Sequence, residues 1–199
     1  MEKVLSRNNN FIDVLSHDEI IDFIEILNKK KEIKLLTLSG SKTGQLGSES
    51  IRELLEDNNR KSKITIMLGD PFSDAILNRY KYDEPDDYEA GIEGITRRLV
   101  KLHSIKLALS EEAKKKLEVR VFKNYPTISV IQADNDLYSS VYGYKLRGSD
   151  CPNVHTTLNS DYGRFLLNHF NKAYLSSIPL ENWIAENQSA GKISLTSKP

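Results

Sequence analysis

The chain has 199 residues, with 28 lysine and arginine residues balanced by 28 aspartate and glutamate residues. This length suits one domain with its own core, and the balanced charge excludes a global attraction to nucleic acid or to an acidic membrane, so any polyanion site is a local patch. A single cysteine excludes a disulfide framework, and the sequence shows neither a signal peptide nor an apolar membrane span. We therefore expect a soluble, cytoplasmic protein.

The first part of the chain predicts a strand, a helix and a second strand in a parallel unit. A capping signature at Ser16 predicts a helix over about residues 17–30. The apolar run at residues 33–40 predicts a buried strand, and a helix is expected to begin near Ser48. The run "KITIMLGDP", residues 63–71, predicts the second buried strand, because glycine and proline end it.

The middle of the chain predicts a loop and then a long helix. The acidic stretch at residues 81–90 is interpreted as a loop. Apolar residues from Ile92 to Leu109 recur at spacings of three and four, which is typical of one helical face. A second capping signature, in "SEEAKKKL", leads into the next strand.

The second half of the chain predicts antiparallel strands. Strands are expected at residues 119–122 and 128–133, and "DND" at residues 134–136 has the composition of a tight turn. The run "LYSSVYGY", residues 137–144, then returns as a third strand. A helix over about residues 160–175 follows.

These elements predict an α/β fold, with a mixed β-sheet flanked by helices in a single domain. We expect the domain to span residues 1–187. Residues 188–199 lack apolar periodicity and are expected to form a flexible C-terminal tail.

The loop "SGSKTGQLGS" has the composition of a phosphate-binding loop. Its glycines free backbone amides, and the helix that follows offers its positive end, so that Ser39 and Lys42 become candidate anion ligands. The loop lacks the Gly-Lys-Ser/Thr triplet of a Walker A motif. An ordinary strand-to-helix turn is the alternative.

Two charged residues of predicted strands are also candidates. Asp70 follows a buried strand, at the end where open α/β sheets bind ligands, although an aspartate before proline also commonly begins a turn. Arg120 lies inside an apolar run, where a guanidinium needs an ion-pair partner or an anion. If the strand alternates, Arg120 is instead a surface residue.

The sequence indicates no conventional hydrolase. The four histidines are scattered without metal-ligand spacing, and Cys151 has no histidine or aspartate placed by spacing to activate it. No Gly-x-Ser-x-Gly elbow is present. We therefore assign no catalytic residue, no metal site and no cofactor.

The order "IKLLTLSGSK", "KITIMLGDP", "LEVRVF" and "TISVIQADNDLYSSVYGY", with a late helix near Trp183, resembles one half of the phospholipase D-like fold over about residues 10–187. The enzymes of that family carry a His-x-Lys-x4-Asp motif on the hairpin that "TISVIQAD" would form. With Asp134 in the aspartate position, Thr127 stands in place of the histidine and Ser129 in place of the lysine. The sequence is therefore similar to a divergent member that lacks the motif.

The resemblance implies a scaffold that has lost its chemistry. Without the histidine no phosphohistidine forms, and without the lysine a charge on the phosphoryl oxygens is missing. Ser139 and Ser140 keep small hydroxyl groups near the second segment of the family motif, where they could contact an anion. The implied function is a non-catalytic ligand-binding or regulatory module that senses a nucleotide or another phosphorylated ligand, or pairs with a partner protein. The resemblance also implies a homodimer.

Two other functions remain open. A metal-dependent phosphodiesterase or nuclease would use Asp70, Asp134 and Asp136 around a divalent ion, although "DND" equally suits a hairpin turn. An oligomerisation module would dock through its late apolar helix. The ligand-binding candidates are Ser39, Lys42, Asp70, Arg120, Ser129, Asp134 and Ser139.

Overall fold

The structure is a computed structural model that describes residues 11–15, 29–40, 49–57, 63–84, 86 and 88–195. Its strands are β1 (Phe11–Leu15), β2 (Glu32–Thr37), β3 (Lys63–Gly69), β4 (Leu117–Phe122), β5 (Ile128–Ala133), β6 (Asp136–Val141), β7 (Asn153–Thr157) and β8 (Ile178–Pro179). Its helices are α1 (Glu49–Glu56), α2 (Asp74–Asp83), α3 (Tyr88–Ala108), α4 (Glu111–Lys114), α5 (Asp161–Ser176) and α6 (Leu180–Ser189).

The described strands form one sheet in the order β1-β7-β6-β5-β2-β3-β4-β8. At its centre β2, β3 and β4 run parallel, and all other pairings among these strands are antiparallel. The predicted fold class, a mixed sheet with helices in one α/β domain, is confirmed. The predicted parallel unit and the predicted hairpin are both part of this sheet.

The central strand β3 is buried along most of its length. Ile64 and the run Ile66, Met67, Leu68 and Gly69 are all buried. A parallel strand covered on both faces is a continuous apolar run rather than an alternating one. The continuous apolar run of residues 63–69 therefore predicts a strand at the centre of the sheet.

The helices cover the sheet with apolar faces. Ile95, Leu99 and Leu102 recur along α3 at spacings of three and four, and all three are fully buried. Trp183 on α6 is also fully buried, and α6 packs on α3 and β4, whereas α5 packs on β4, β6 and β7. None of the helices in the described part of the chain has the length and apolar character needed to cross a membrane.

Residues 81–90 are not the single loop that the sequence predicts, because α2 continues to Asp83 and α3 begins at Tyr88. The side chain of Ser73 caps the N-terminus of α2. An ion pair between Arg79 and Asp83, one helical turn apart, then carries the helix into the acidic stretch.

Two predicted boundaries, those of the first helix and of the C-terminal tail, are not tested by the structure. The helix expected over residues 17–30 lies almost entirely outside the described residues. The division of the chain into a domain ending at residue 187 and a tail stays a prediction. Helix α6 continues to Ser189, and Ile193 beyond it is buried against the core.

Substitution of Gly163 by alanine tests the packing of α5 on β7. A Cβ at this position would overlap the backbone carbonyl of Thr157, so we expect the free energy of unfolding to fall by about 1–3 kcal/mol. Gly94, in the middle of α3, is the control, because a Cβ there meets only Arg98 Nη1, at 3.7 Å. Gly94→Ala should stabilise the protein by about 0.5–1 kcal/mol. Urea unfolding measures both changes, and equal effects would contradict the packing.

Candidate functional site

The sheet has two functionally different ends. Because β2, β3 and β4 are parallel, their last residues, Thr37, Gly69 and Phe122, lie at one end, which we call the carboxyl edge. The opposite end, where these strands begin, is the amino edge. With a rise of about 3.3 Å per residue, strands of this length separate the two edges by about 20 Å.

The β5–β6 turn lies at the amino edge. β5 is antiparallel to β2 and pairs Ala133 with Ile33, so Asp134 follows beside the start of β2. Its carboxylate accepts hydrogen bonds from the backbone N–H groups of Lys31, at 3.0 Å, and Glu32, at 2.9 Å. Asp134 therefore fastens the hairpin to β2, and its positive φ of 52° is one that aspartate tolerates in turns.

Asp136 is bound at the same edge. Its carboxylate pairs with Lys30, at 2.7 Å, and with His155, at 3.2 Å. Burial raises the pKa of Asp136, but the hydrogen bonds from Lys30 and His155 outweigh burial and leave the pKa lowered. His155 also stacks on Tyr138, with ring centroids 4.5 Å apart. This arrangement joins β6 and β7.

The alternative metal site is not assembled. Asp70 follows β3 at the carboxyl edge, whereas Asp134 and Asp136 lie at the amino edge. The hairpin reverses direction, which places its turn far from the end of β3. Across the residues that the structure describes, no group of three or more His, Cys, Asp or Glu side chains could hold a metal ion.

Asp70 anchors α6 to the sheet. Its Oδ1 accepts hydrogen bonds from Trp183 Nε1, at 2.9 Å, and from the backbone N–H of Phe72, at 3.0 Å. Asp70 is 5% exposed and lines an open cleft of about 610 Å³ that Lys123 and Lys192 also border. The structure therefore gives this carboxylate the turn-forming role that the sequence also allows.

Arg120 joins β4 to the C-terminal end of α5. Its Nε donates to Ser177 Oγ at 2.8 Å and its Nη2 donates to the Ser177 carbonyl at 2.6 Å. The guanidinium lies 4.4 Å from the ring centroid of Tyr174 and pairs with Glu118 at 3.2 Å. The partner that the sequence requires for Arg120 is thus found within the protein.

The serines of the hairpin have different surroundings. The Ser139 hydroxyl is buried beside the Tyr162 hydroxyl, at 3.1 Å. Ser129 donates to the Ser140 carbonyl, at 3.4 Å. Of the predicted ligand-binding residues, Ser39 and Ser129 lie at the carboxyl edge together with Asp70, and Lys42 is outside the described residues.

Tyr142 closes the carboxyl edge between β2 and the hairpin. Its hydroxyl accepts a hydrogen bond from the backbone N–H of Leu38, at 2.9 Å, and lies 3.5 Å from Thr37 Oγ1. Burial raises the pKa of Tyr142, and burial likewise raises the pKa of Tyr80 to about 12. Both phenols at this edge are therefore neutral at physiological pH.

Arg98 is the charged group that sequence reasoning missed. It lies on α3 and donates from Nη1 to the Ser39 carbonyl at 2.8 Å. It is half-buried, and it forms no ion pair with any carboxylate in the described part of the chain. Burial lowers its pKa, and the charge of Arg97 acts in the same direction. The sequence does indicate that Arg98 is unusual. It lies three residues after Ile95 and four before Leu102, so a charged residue occupies a position on the apolar face of α3.

Arg79 holds the loops around this edge. It is 1% exposed, and it pairs with Asp83 and with Glu84. Its Nη2 also donates to the Leu146 carbonyl at 2.8 Å, and its Nη1 lies 3.5 Å from the Gly143 carbonyl. A single buried guanidinium thus connects α2 to the loop after β6.

Two solved structures of known proteins are similar to this chain. TrmBL2, an archaeal chromatin protein with a novel mode of DNA binding, matches at 16% identity with a TM-score of 0.46, over 79% of this chain and 48% of TrmBL2. Nuc from Salmonella typhimurium, a phospholipase D family member, matches at 11% identity with a TM-score of 0.45, over 84% of this chain and 95% of Nuc. The chain spans about half the length of TrmBL2.

Comparison with protein-family models and with curated proteins gives no match. At the identities and TM-scores of the two solved structures, the similarities assign neither a family nor an activity. A function for this protein is therefore inferred from the geometry of the carboxyl edge.

Replacement of Asp83 by asparagine tests the buried ion pair through its pH dependence. Burial raises the pKa of Asp83, but hydrogen bonds from Tyr125 and Arg79 outweigh burial and leave the pKa lowered. The stabilisation by Asp83 is therefore complete above the ordinary aspartate pKa of about 3.9 and is lost as the pH falls through the lower folded-state value.

At neutral pH, Asp83→Asn should cost about 1–3 kcal/mol of unfolding free energy, because Arg79 keeps Glu84 but loses its other carboxylate partner. The difference between wild type and variant should shrink in strong acid, as measured by urea unfolding over a pH series. Asp161→Asn is the control, because the Asp161 side chain is 77% exposed. A difference that persists unchanged in acid would contradict the ion pair.

Proposed function

We propose that the protein is a non-catalytic binding module that holds a phosphorylated ligand of the nucleotide class at the carboxyl edge, with Arg98 as the charged contact. The observation that carries the proposal is the half-buried Arg98 guanidinium, which has one backbone acceptor and no carboxylate partner among the described residues. The resemblance of the sequence to a phospholipase D-like scaffold without its motif agrees with this role.

A partly buried guanidinium favours an anion at this position. Desolvation of a charge is costly unless the charge is paired, and the neighbouring Tyr80 and Tyr142 are neutral. Arginine presents several N–H donors in a planar fork that matches a phosphate group, and the bond to the Ser39 carbonyl uses Nη1. The other donors of Arg98 suit phosphate oxygens.

The surrounding sequence supports an anion rather than a cation. Residues 41–48, "SKTGQLGS", contain no carboxylate, and they include Lys42. Lys42 and Ser39 therefore remain proposed contacts on the same loop. Ser129 and Tyr142 offer hydroxyl groups at the same edge.

The hairpin supports binding without covalent chemistry. At the positions that correspond to the family motif, Thr127 is exposed and Ser129 donates to a backbone carbonyl. Neither side chain is an imidazole that could form a phosphohistidine. Among the described histidines, His155 is bound to Asp136 at the amino edge. The cytoplasmic location and pairing into a homodimer remain part of the proposal.

Thermal denaturation with matched compounds tests the proposed site. Inorganic phosphate and adenosine 5′-monophosphate are compared with adenosine, which lacks the phosphate. A phosphorylated compound that binds at this site should raise the Tm by about 5–10 °C at one hundred times its Kd, since this excess of ligand adds about 2.7 kcal/mol. Adenosine should have no effect.

The matched variants are Arg98→Gln and Arg97→Gln, because Arg97 is the exposed neighbour on the same helix. Arg98→Gln should abolish the shift, and Arg97→Gln should keep it. Absence of a shift with every phosphorylated compound, or an unchanged shift in Arg98→Gln, would refute the proposal.

A further inference from the structure

A cluster of exposed apolar and aromatic side chains lies beside the buried Arg79–Asp83 ion pair. Of the eight large hydrophobic side chains that are exposed in the described part of the chain, four belong to this cluster. We call it the tyrosine patch, and its members are Tyr82, Tyr125, Tyr144 and Leu146. Exposed apolar side chains that are held close together on a protein surface are typical of an interaction surface.

Bonds to the ion pair bring the three parts of the patch together. The Tyr125 hydroxyl donates to Asp83 at 2.6 Å. The Leu146 carbonyl accepts from Arg79. The end of α2, the loop after β4 and the loop after β6 therefore form one preorganised surface.

Lysines border the patch. Lys81 Nζ lies 5.4 Å from the ring centroid of Tyr82, and Lys145 Nζ lies 5.5 Å from that of Tyr144. Lys123, two residues before Tyr125, is exposed as well. The apolar centre thus has a positively charged rim.

From this surface we infer that the tyrosine patch binds a protein segment that carries apolar side chains flanked by aspartate or glutamate. Tyrosine supplies large contact area at small entropic cost and is enriched at protein interfaces. The lysine rim complements acidic flanks. This binding site is separate from the proposed phosphate site and does not depend on it.

The chemistry of the patch favours a peptide over a nucleic acid. Leu146 is aliphatic and 45% exposed, so it offers no ring on which a base could stack. The chain also carries no net charge.

The test uses a random 12-residue peptide library displayed on phage and panned on the immobilised full-length chain. The enriched peptides should have net negative charge and at least one aromatic or aliphatic residue. The strongest peptide is then synthesised with a fluorescein label, and its affinity is measured by fluorescence anisotropy.

The double variant Tyr82→Ser with Tyr144→Ser should bind this peptide at least about tenfold more weakly, because tyrosine is enriched among the interface residues whose truncation most weakens binding. The two side chains are 60% and 78% exposed, and an unchanged Tm verifies the fold. Leu175→Ser is the control, since Leu175 is 81% exposed on α5. This control should bind like the wild type.

Lys145→Glu provides a second readout, because it reverses a charge of the rim and should weaken the acidic peptide. Three results would overturn the inference. The first is that no peptide is enriched over an uncoated surface. The second is that the double variant binds the peptide with the same affinity as the wild type. The third is that fluorescein-labelled dT20 binds more tightly than the peptide does and loses this binding in the double variant.

Discussion

The buried ion pair between Arg79 and Asp83 is the interaction on which the carboxyl edge depends. Both side chains are almost excluded from solvent, where an unpaired charge would be strongly destabilising. The pair tolerates burial because each charge has further partners. Arg79 also contacts Glu84 and backbone carbonyls, and Asp83 accepts from Tyr125. A loss of either member would therefore disturb three segments rather than a single helix.

The molecule therefore has two parts. One is a framework that does not depend on the Arg79–Asp83 ion pair, and the other is a surface whose loops the ion pair holds in place. The framework is the apolar sheet with α3 and α6, which pack together mainly through buried apolar side chains. The loops after β4 and β6 have little apolar burial of their own, and the ion pair compensates for this. Their exposed side chains are consequently presented in a defined geometry, which favours binding over folding as the explanation for their apolar character.

The direction of the hairpin explains why the carboxylates of the sequence do not form one site. β5 runs antiparallel to β2, so its start lies at the carboxyl edge and its end at the amino edge. Asp134 and Asp136 stabilise the amino edge, while Ser129 and Tyr142 lie with Arg98 at the other. Residues that are close to one another in the hairpin sequence therefore lie at opposite edges of the sheet and do not share one site.

Much of the fold could be predicted from the sequence, because it depends on local patterns. The buried strand β3 and the amphipathic α3 follow from apolar runs and periodicity. β7 could not be predicted, since "NVHTT" is too polar and too short to distinguish it from the preceding loop, and only pairing with β6 and β1 makes it a strand. Context of this kind lies beyond any local pattern.

The candidate site was less predictable than the fold. Ser39 and Ser129 stay predicted ligand contacts. The roles of Asp70 and Arg120 depend on Trp183 and Ser177, which lie 113 and 57 residues away in the sequence. Such long-range partners decide whether a charged group binds a ligand or stabilises the fold. Arg98 had a visible signal, a charge inside an apolar helical stripe.

Phosphorus-31 NMR of a model phosphodiester, p-nitrophenyl thymidine 5′-phosphate, tests the central claim of binding without turnover most directly. With the wild-type protein the diester resonance should shift or broaden, and with Arg98→Gln it should stay as in buffer. No phosphomonoester resonance should appear with either protein. An unaffected diester resonance, or a monoester resonance that grows only in the presence of the wild-type protein, would contradict the account.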